Sequence, residues 1–183
     1  NYISRCLGNK DTSEAEKTAS TAFYTAFIFG LIIAILGIIF LDPLVKALGA
    51  TDTIAPYAAS YARYIFLAAP FMISSFVMNN LLRSQGNAFY SMVGIAAGGI
   101  LNMILDPIFI FVFDMGIAGA AAATMISQII SFCILFIQSN FRKGCIKLKP
   151  SNFKPSIKLY GKILHGGMPS FCRQGLASVS TII

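Results

Sequence analysis

Asp106 and Asn102 are the residues of this chain whose types and positions are best suited to chemistry. Asp106 is the only charged residue between positions 91 and 113, in a stretch dominated by apolar and small residues. About 20 apolar residues cross a bilayer as a helix, and an acidic side chain inside such a helix costs roughly 2.5–3.5 kcal/mol on insertion scales. A carboxylate is retained there when it faces protein or water, and its usual role is to handle an ion, a proton or a solute.

Asp106 lies on a stripe of small and polar residues that share one face of a helix, because they are spaced four positions apart: Gly94, Gly98, Asn102 and Asp106. Pro107 cannot donate a hydrogen bond to the Met103 carbonyl, so we expect the helix to kink and to leave that acceptor free. Amide, carboxylate and carbonyl oxygens are hard donors, which suit Na⁺ or the relay of a proton. The stripe therefore predicts a cation-handling site.

The next apolar segment carries its own face of small and polar residues: Ala120, Thr124, Ser127, Gln128 and Ser131. The link between the two segments is very short, since only residues 114–116 separate them, so the two helices must be antiparallel neighbours. We therefore expect Thr124 to face Asp106. Ser127 and Gln128 are candidates for the lining of a cavity beside the site.

The elements that position these residues are predicted to be membrane-spanning helices. The chain is 56% hydrophobic and only 11% charged, its mean hydropathy is +0.73, and an ordinary soluble domain has roughly 25% charged residues. Long apolar segments cover residues 23–41, 64–82, 91–113 and 117–137, and a further one begins near Met168. They are apolar on nearly every face. The predicted fold is an all-α, polytopic transmembrane helix bundle with four complete spans and the start of a fifth.

Local signals set the expected ends of these helices. Ser13 and Glu16 have the spacing of a capping box, so a helix is expected to begin there and to continue into the first span. Asp42 and Pro43 end that span and begin a short segment that is broken again at Gly49 and Pro56. Residues 142–167 are predicted to form a basic linker that ends in a helix lying along the membrane surface. Three of its apolar residues share a helical face: Ile157, Tyr160 and Leu164.

The distribution of positive charge predicts the orientation. Eleven of the 14 Lys and Arg residues lie on one predicted side: Arg5, Lys10, Lys17, Arg83, Arg142, Lys143, Lys147, Lys149, Lys154, Lys158 and Lys162. Lys46 and Arg63 lie on the other side, and Arg173 lies in the incomplete fifth segment. The side with more positive charge is cytoplasmic in membrane proteins. The basic tract would then meet anionic lipid headgroups, and no nucleic-acid partner is expected.

The remaining reactive residues do not indicate an enzyme. Cys6, Cys133, Cys145 and Cys172 have no metal-binding spacing and are expected to be reduced structural thiols. His165 has no partners at metal-ligand spacing, and we interpret it as an interfacial residue of the linker. We expect neither a catalytic residue nor an organic cofactor.

Five short motifs together resemble the multidrug and toxin extrusion (MATE) family. The matching segments are residues 3–8 (ISRCLG), 81–86 (LLRSQG), 102–107 (NMILDP), 116–121 (GIAGAA) and 167–175 (GMPSFCRQG). None of these motifs is specific alone, but five in this order, with matching span lengths, cover nearly the whole chain. Asn87, where many relatives have aspartate, is a mild departure from the pattern.

The resemblance implies a prokaryotic transporter with two six-helix lobes, of which this chain would be a fragment without the first two helices. Residues 1–140 would be helices three to six of the amino-terminal lobe with the preceding loop, 141–166 the cytoplasmic linker, and 167–183 the start of helix seven. By resemblance, Asn102, Asp106 and Thr124 would be the Na⁺ or H⁺ coupling site, and a second acidic residue would lie on the absent helix one. The implied protein is a monomeric, multi-pass inner-membrane antiporter that exports organic, often cationic compounds.

Three other functions are weighed against this one. A flippase for lipid-linked precursors has a related architecture, but it would favour Arg and Lys in its cavity, and the four spans contain none. A membrane enzyme would need clustered His, Asp or Glu, and the single His165 argues against it. A scaffold without transport activity gives no reason for an acidic residue beside a proline within a span.

Overall fold

The computed structural model describes residues 2–141 together with residues 146, 148, 160, 161 and 163, and every element in this part of the chain is helical. The helices in chain order are α1 (Tyr2–Gly8), α2 (Thr12–Ile39), α3 (Leu41–Ala47), α4 (Ala55–Ser84), α5 (Ala88–Pro107), a π-helical segment (Ile108–Val112) and α6 (Gly116–Phe141). The predicted all-α class is confirmed. The fifth apolar segment and most of the basic linker, including Ile157 and Leu164, lie outside the described residues.

Four helical stretches are long and apolar enough to cross a membrane: Thr12–Ile39, Ala55–Ser84, Ala88–Val112 and Gly116–Asn140. They coincide with the four predicted spans and extend beyond most of their ends, because polar first and last turns continue the helices. Many large apolar side chains on them are exposed, among them Phe29, Phe76 and Met103. Such a surface suits contact with lipid.

The four long helices run alternately up and down, so the bundle has two distinct ends. The Gln85 end contains the start of α2, the end of α4, the start of α5 and the end of α6. The Asp114 end contains α3, the start of α4, the π-helical segment and the start of α6. Glycines with positive φ values make the turns: Gly86 (78°) at the first end, and Gly49 (86°) and Gly116 (54°) at the second.

Helix α4 lies between α2 and α6 and packs closely against both. A Cβ atom on Gly30 of α2 would lie 2.6 Å from the Cα of Pro70 in the middle of α4, so the two backbones almost touch at this position. Near the Gln85 end, Phe23 of α2 stacks on Phe132 of α6 with 6.2 Å between the ring centroids. These contacts make α2, α4 and α6 one packed unit, against which α5 lies.

The predicted capping box is wrong. Helix α2 begins at Thr12, and its N-cap is Asp11, whose carboxylate accepts a hydrogen bond from the Glu14 backbone N–H at 3.1 Å. Asp, Ser and Thr are similarly effective N-caps, so the sequence offers competing starts within three residues. The backbone selects Asp11 because Lys10 takes a positive φ of 59° directly before it and turns the chain between α1 and α2.

Candidate functional site

Asn102, Asp106 and Thr124 lie together and are joined by hydrogen bonds. The Asn102 side-chain amide donates to Asp106 Oδ1 at 3.1 Å and to Thr124 Oγ1 at 3.3 Å. The Thr124 hydroxyl donates to the Ala120 carbonyl one turn earlier in α6, at 3.0 Å. All three side chains are partly buried. We call these residues the triad.

Glycines on α5 bring the triad together, because they allow α6 to approach closely. A Cβ atom on Gly94 would lie 2.3 Å from Leu135 Cδ2, and one on Gly98 would lie 2.8 Å from Ser131 Cβ. Ser131 Oγ also donates to the Gly94 carbonyl at 2.8 Å across the interface. The two helices are therefore antiparallel neighbours, and the four-residue stripe on α5 faces the small and polar face of α6.

The helix changes type directly after the triad. α-Helical geometry ends at Pro107, and the next five residues, Ile108–Val112, are π-helical. The widened segment contacts the start of α6 so closely that a Cβ atom on Gly119 would lie 2.6 Å from the Phe109 carbonyl oxygen. π-Helical turns inside helices occur frequently at functional sites. A change in helix type thus begins next to Asp106, at the proline where the sequence predicts a kink.

A cavity of about 240 Å³ lies beside the triad, between α4, α5 and α6. Its wall is mostly apolar but includes four polar side chains: Ser75, Asn79, Gln128 and Ser131. The Asn79 amide donates to the Ser91 carbonyl at 3.0 Å, which fixes its orientation. The Ser75 hydroxyl oxygen is buried and has no hydrogen-bond partner among the described residues. Apolar walls with a few placed polar groups are typical of small-molecule sites.

The two candidate lining residues from the sequence are placed differently. Gln128 is part of the cavity wall, whereas Ser127 is only 2% exposed and is not in the wall. Ser75 and Asn79 of α4 were missed by sequence reasoning. Their spacing of four within a span was the available signal, because it is the same small-polar pattern that identified the stripe on α5.

The triad and the cavity are adjacent along both helices. Asn102 lies one turn beyond Gly98, which is in the cavity wall, and Thr124 lies one turn beyond Gln128 on the antiparallel helix. Four residues of helix correspond to about 6 Å along the axis. The cavity wall at Gly98 is therefore one helical turn from Asn102 and two turns, or about 12 Å along the axis, from Asp106.

The donor set suits a monovalent cation or a proton. It contains one carboxylate, one amide and one hydroxyl, which are hard oxygen ligands. Within the described part of the chain, no group of three or more His, Cys, Asp or Glu residues could hold a metal ion. A single formal charge also matches a single positive charge better than a divalent ion.

Comparison with known proteins gives a consistent result. A family model described as MatE matches residues 1–108. The multidrug export protein MepA of Staphylococcus aureus is 35% identical over 172 residues, which are 93% of this chain and 38% of that protein. The chain thus spans well under half the length of the curated relatives that it matches.

Two solved structures of a multidrug resistance MATE family transporter of the MOP superfamily share the fold. The outward-facing conformation has a TM-score of 0.89 at 30% identity, and the match covers 98% of this chain and 40% of that one. The inward-facing conformation has a TM-score of 0.86 at 30% identity, with 92% and 38% covered. The arrangement of helices in this chain is therefore similar to the corresponding region of both states.

Proposed function

Since the chain belongs to the MatE family of multi-pass membrane transporters, we propose that it forms part of a secondary active antiporter that exports organic compounds in exchange for Na⁺ or H⁺. The observation that carries this proposal is the triad, which lies one helical turn from a mostly apolar cavity. A carboxylate within a span is otherwise costly. Its position near a cavity would allow the carboxylate to bind the coupling ion that is exchanged for the exported compound.

In the proposed mechanism, the cavity holds the exported compound and the triad holds the coupling ion. The side chains of Asp106, Asn102 and Thr124 would supply oxygen ligands to Na⁺, or Asp106 would accept a proton. Removal of a carboxylate from water favours its protonated form, whereas a bound cation favours its ionised form. Entry of a cation into the cell releases about 2.3 kcal/mol per charge for each 100 mV of membrane potential, which can drive export.

The proposed orientation places the Gln85 end in the cytoplasm. Arg5, Lys10, Lys17 and Arg83 all lie near this end, whereas Lys46 and Arg63 lie near the Asp114 end. The excess of positive charge at the Gln85 end is the pattern of cytoplasmic loops. Coupling ions would then enter from the Asp114 end, where the π-helical segment begins next to Asp106.

The proposed transport cycle is alternating access between two lobes, with the described bundle moving as one body. The similarity of the bundle to both an outward-facing and an inward-facing transporter supports this mode of movement. A lipid-linked precursor flippase is less well supported, because the cavity wall contains neither Arg nor Lys that would bind a pyrophosphate.

The experiment that tests the proposal is the Asp106→Asn substitution in the full-length protein. The amide preserves size but removes the charge, so the protein should insert normally while ion-coupled efflux falls to background. Efflux of a fluorescent organic cation is measured in energised vesicles with an imposed Na⁺ or pH gradient. Asp114→Asn is the matched control, because it makes the same change eight residues away on an exposed residue. Wild-type efflux by Asp106→Asn under every gradient would show that the carboxylate is only structural.

A further inference from the structure

Beyond α6, two residues of the chain pack against the Gln85 end of the bundle. Ile146 and Leu148 have non-helical backbone, yet they are only 5% and 4% exposed. They belong to one apolar cluster with residues of α1, α2, α4 and α6: Cys6, Ala15, Ala19, Phe23, Met78, Leu81, Leu82 and Leu135. Two side chains from outside the helices therefore complete the core at this end.

Side chains at the ends of α4 and α6 bind the backbone of the same segment. The Ile146 N–H donates to Gln85 Oε1 at 3.0 Å, and the Leu148 N–H donates to Asn140 Oδ1 at 2.9 Å. A buried backbone N–H group needs a partner, and non-helical chain cannot supply one from its own preceding turn. Gln85 and Asn140 thus supply the acceptors that allow this segment to be buried.

The surface that Ile146 and Leu148 contact includes two of the motifs found in the sequence, residues 3–8 and 81–86. Neither motif contains a residue of the triad. Leu81 and Leu82 provide apolar contacts, and Cys6 of α1 is in the same cluster. The Ser4 hydroxyl donates to the Ser84 carbonyl at 3.1 Å, which fastens α1 to the end of α4. Gly86 with its positive φ turns the chain away immediately after Gln85.

A second contact, farther along the chain, also joins the residues after α6 to the helix bundle. The Tyr160 hydroxyl lies 2.8 Å from Thr25 Oγ1 of α2 and is hydrogen-bonded to it. Thr25 is only two residues beyond Phe23, which belongs to the cluster described above. The chain after α6 is therefore attached to the bundle again at Tyr160, twelve residues after Leu148.

We propose that Ile146 and Leu148, with the Gln85 and Asn140 side chains and the surrounding cluster, form a clasp that moves with the helix bundle as one body. The end of α6 is then not a hinge between this bundle and the following part of the protein. This mechanical consequence rests on the proposed two-lobe transporter. The existence of the clasp does not, because it depends only on contacts within the bundle.

The test is residue-resolved hydrogen exchange on the full-length protein in lipid nanodiscs. In the wild type, the Ile146 and Leu148 amides should exchange much more slowly than unprotected amides. Gln85→Ala should speed exchange at Ile146 by roughly three- to tenfold, as expected for the loss of one hydrogen bond, with a smaller effect at Leu148. Asn140→Ala should give the reverse pattern.

Three controls make the result specific. Gln85→Glu keeps an oxygen acceptor and should keep Ile146 protected, which separates the hydrogen bond from a general loss of folding. Asn80→Ala is the matched control, because Asn80 lies on the same helix and its amide donates only to Phe76 of α4 in the described contacts; it should change neither amide. Protection in the wild type should also be the same with and without a saturating organic cation.

The clasp is overturned if both amides exchange at unprotected rates in the wild type, or if Gln85→Ala and Asn140→Ala change neither. A clasp that opens during transport would lose protection when the organic cation is added, and this result would refute movement as one body. Loss of efflux in Asp106→Asn tests the transport proposal separately, since that substitution should leave both amides protected.

Discussion

At the residue scale, Asn102 has the central position in the triad, because its amide contacts both the carboxylate of Asp106 and the hydroxyl of Thr124. The same amide N–H group therefore holds the carboxylate of Asp106 and the hydroxyl of Thr124 in position. Thr124 is held from the other side by the carbonyl of Ala120. The geometry assigns unequal importance to the two neutral residues.

We expect Asn102→Ala to reduce ion-coupled efflux more than Thr124→Ala does, and both to reduce it less than Asp106→Asn. Asn102→Ala removes both hydrogen bonds within the triad, whereas Thr124→Ala removes only one of them. Each bond is worth about 1 kcal/mol, roughly a fivefold effect, and the charge remains in both variants. The measurement is the Na⁺ or H⁺ concentration that gives half-maximal efflux. Thr124→Ser keeps the hydroxyl and serves as the control. Equal, wild-type cation dependence in Asn102→Ala and Thr124→Ala would remove both residues from the site.

Sequence alone was sufficient to find the three residues of the triad, because a charge within a span and a four-residue spacing are visible without coordinates. It was not sufficient for Ser75 and Asn79, whose importance depends on which face of α4 meets α5 and α6. Nor did it show that Ser127 is buried outside the cavity wall while its neighbour Gln128 lies in the wall. One step along a helix rotates a side chain by about 100°, so the position of the partner helix decides the outcome.

At the element scale, the pairing of α5 with α6 depends on two glycines that have no room for a larger side chain. Gly98 is in close contact with Ser131, whereas the adjacent Gly99 has no atom within 4 Å of the position that its Cβ would occupy. Replacing either glycine by alanine adds the same methyl group, which enters a packed contact at Gly98 and open space at Gly99.

We expect Gly98→Ala to destabilise the protein by about 1–3 kcal/mol, the usual range for inserting a methyl group into a packed contact. Gly99→Ala should be neutral or slightly stabilising, because alanine favours the helix over glycine. Both variants are compared with the wild type by thermal unfolding in the same detergent. Equal apparent Tm values for the two variants would show that α5 and α6 are not closely packed at Gly98.

The positions of the elements were largely predictable, because each span is long and continuously apolar. Their precise starts were not, as Asp11 shows: several good N-caps occur within three residues, and the turn before the helix selects one. The π-helical segment was also not predictable. Pro107 indicates a disturbance, but the geometry that results depends on how closely α6 approaches at Gly119.

At the scale of the whole molecule, burial is distributed unevenly among the spans. The most apolar window of α4 is 44% buried, whereas that of α5 and its π-helical extension is 6% buried. Helix α4 is therefore the centre of the described bundle. Helix α5 touches the bundle mainly through the face that carries the glycines and the triad.

We expect labelling to place the two ends on opposite sides of the membrane. A cysteine introduced at Asn9, near the Gln85 end, should react with an impermeant maleimide only from the cytoplasm, and a cysteine at Thr51 only from outside. The four native cysteines are replaced by alanine first. The physical reason is the excess of Lys and Arg at the Gln85 end. The reverse pattern would invert the proposed direction of ion entry.

The short distance of two helical turns between Asp106 and the cavity wall makes the two proposed ligands electrostatically linked. Two unit positive charges about 12 Å apart repel each other by roughly 1.4 kcal/mol at an effective dielectric constant of about 20. Such a coupling free energy lowers each affinity by roughly tenfold when the other site is filled, and thermodynamic reciprocity requires the two factors to be equal. A cationic compound and the coupling ion would therefore weaken each other's binding without sharing any ligand atom, whereas an uncharged compound of the same shape would bind equally well with the ion in place.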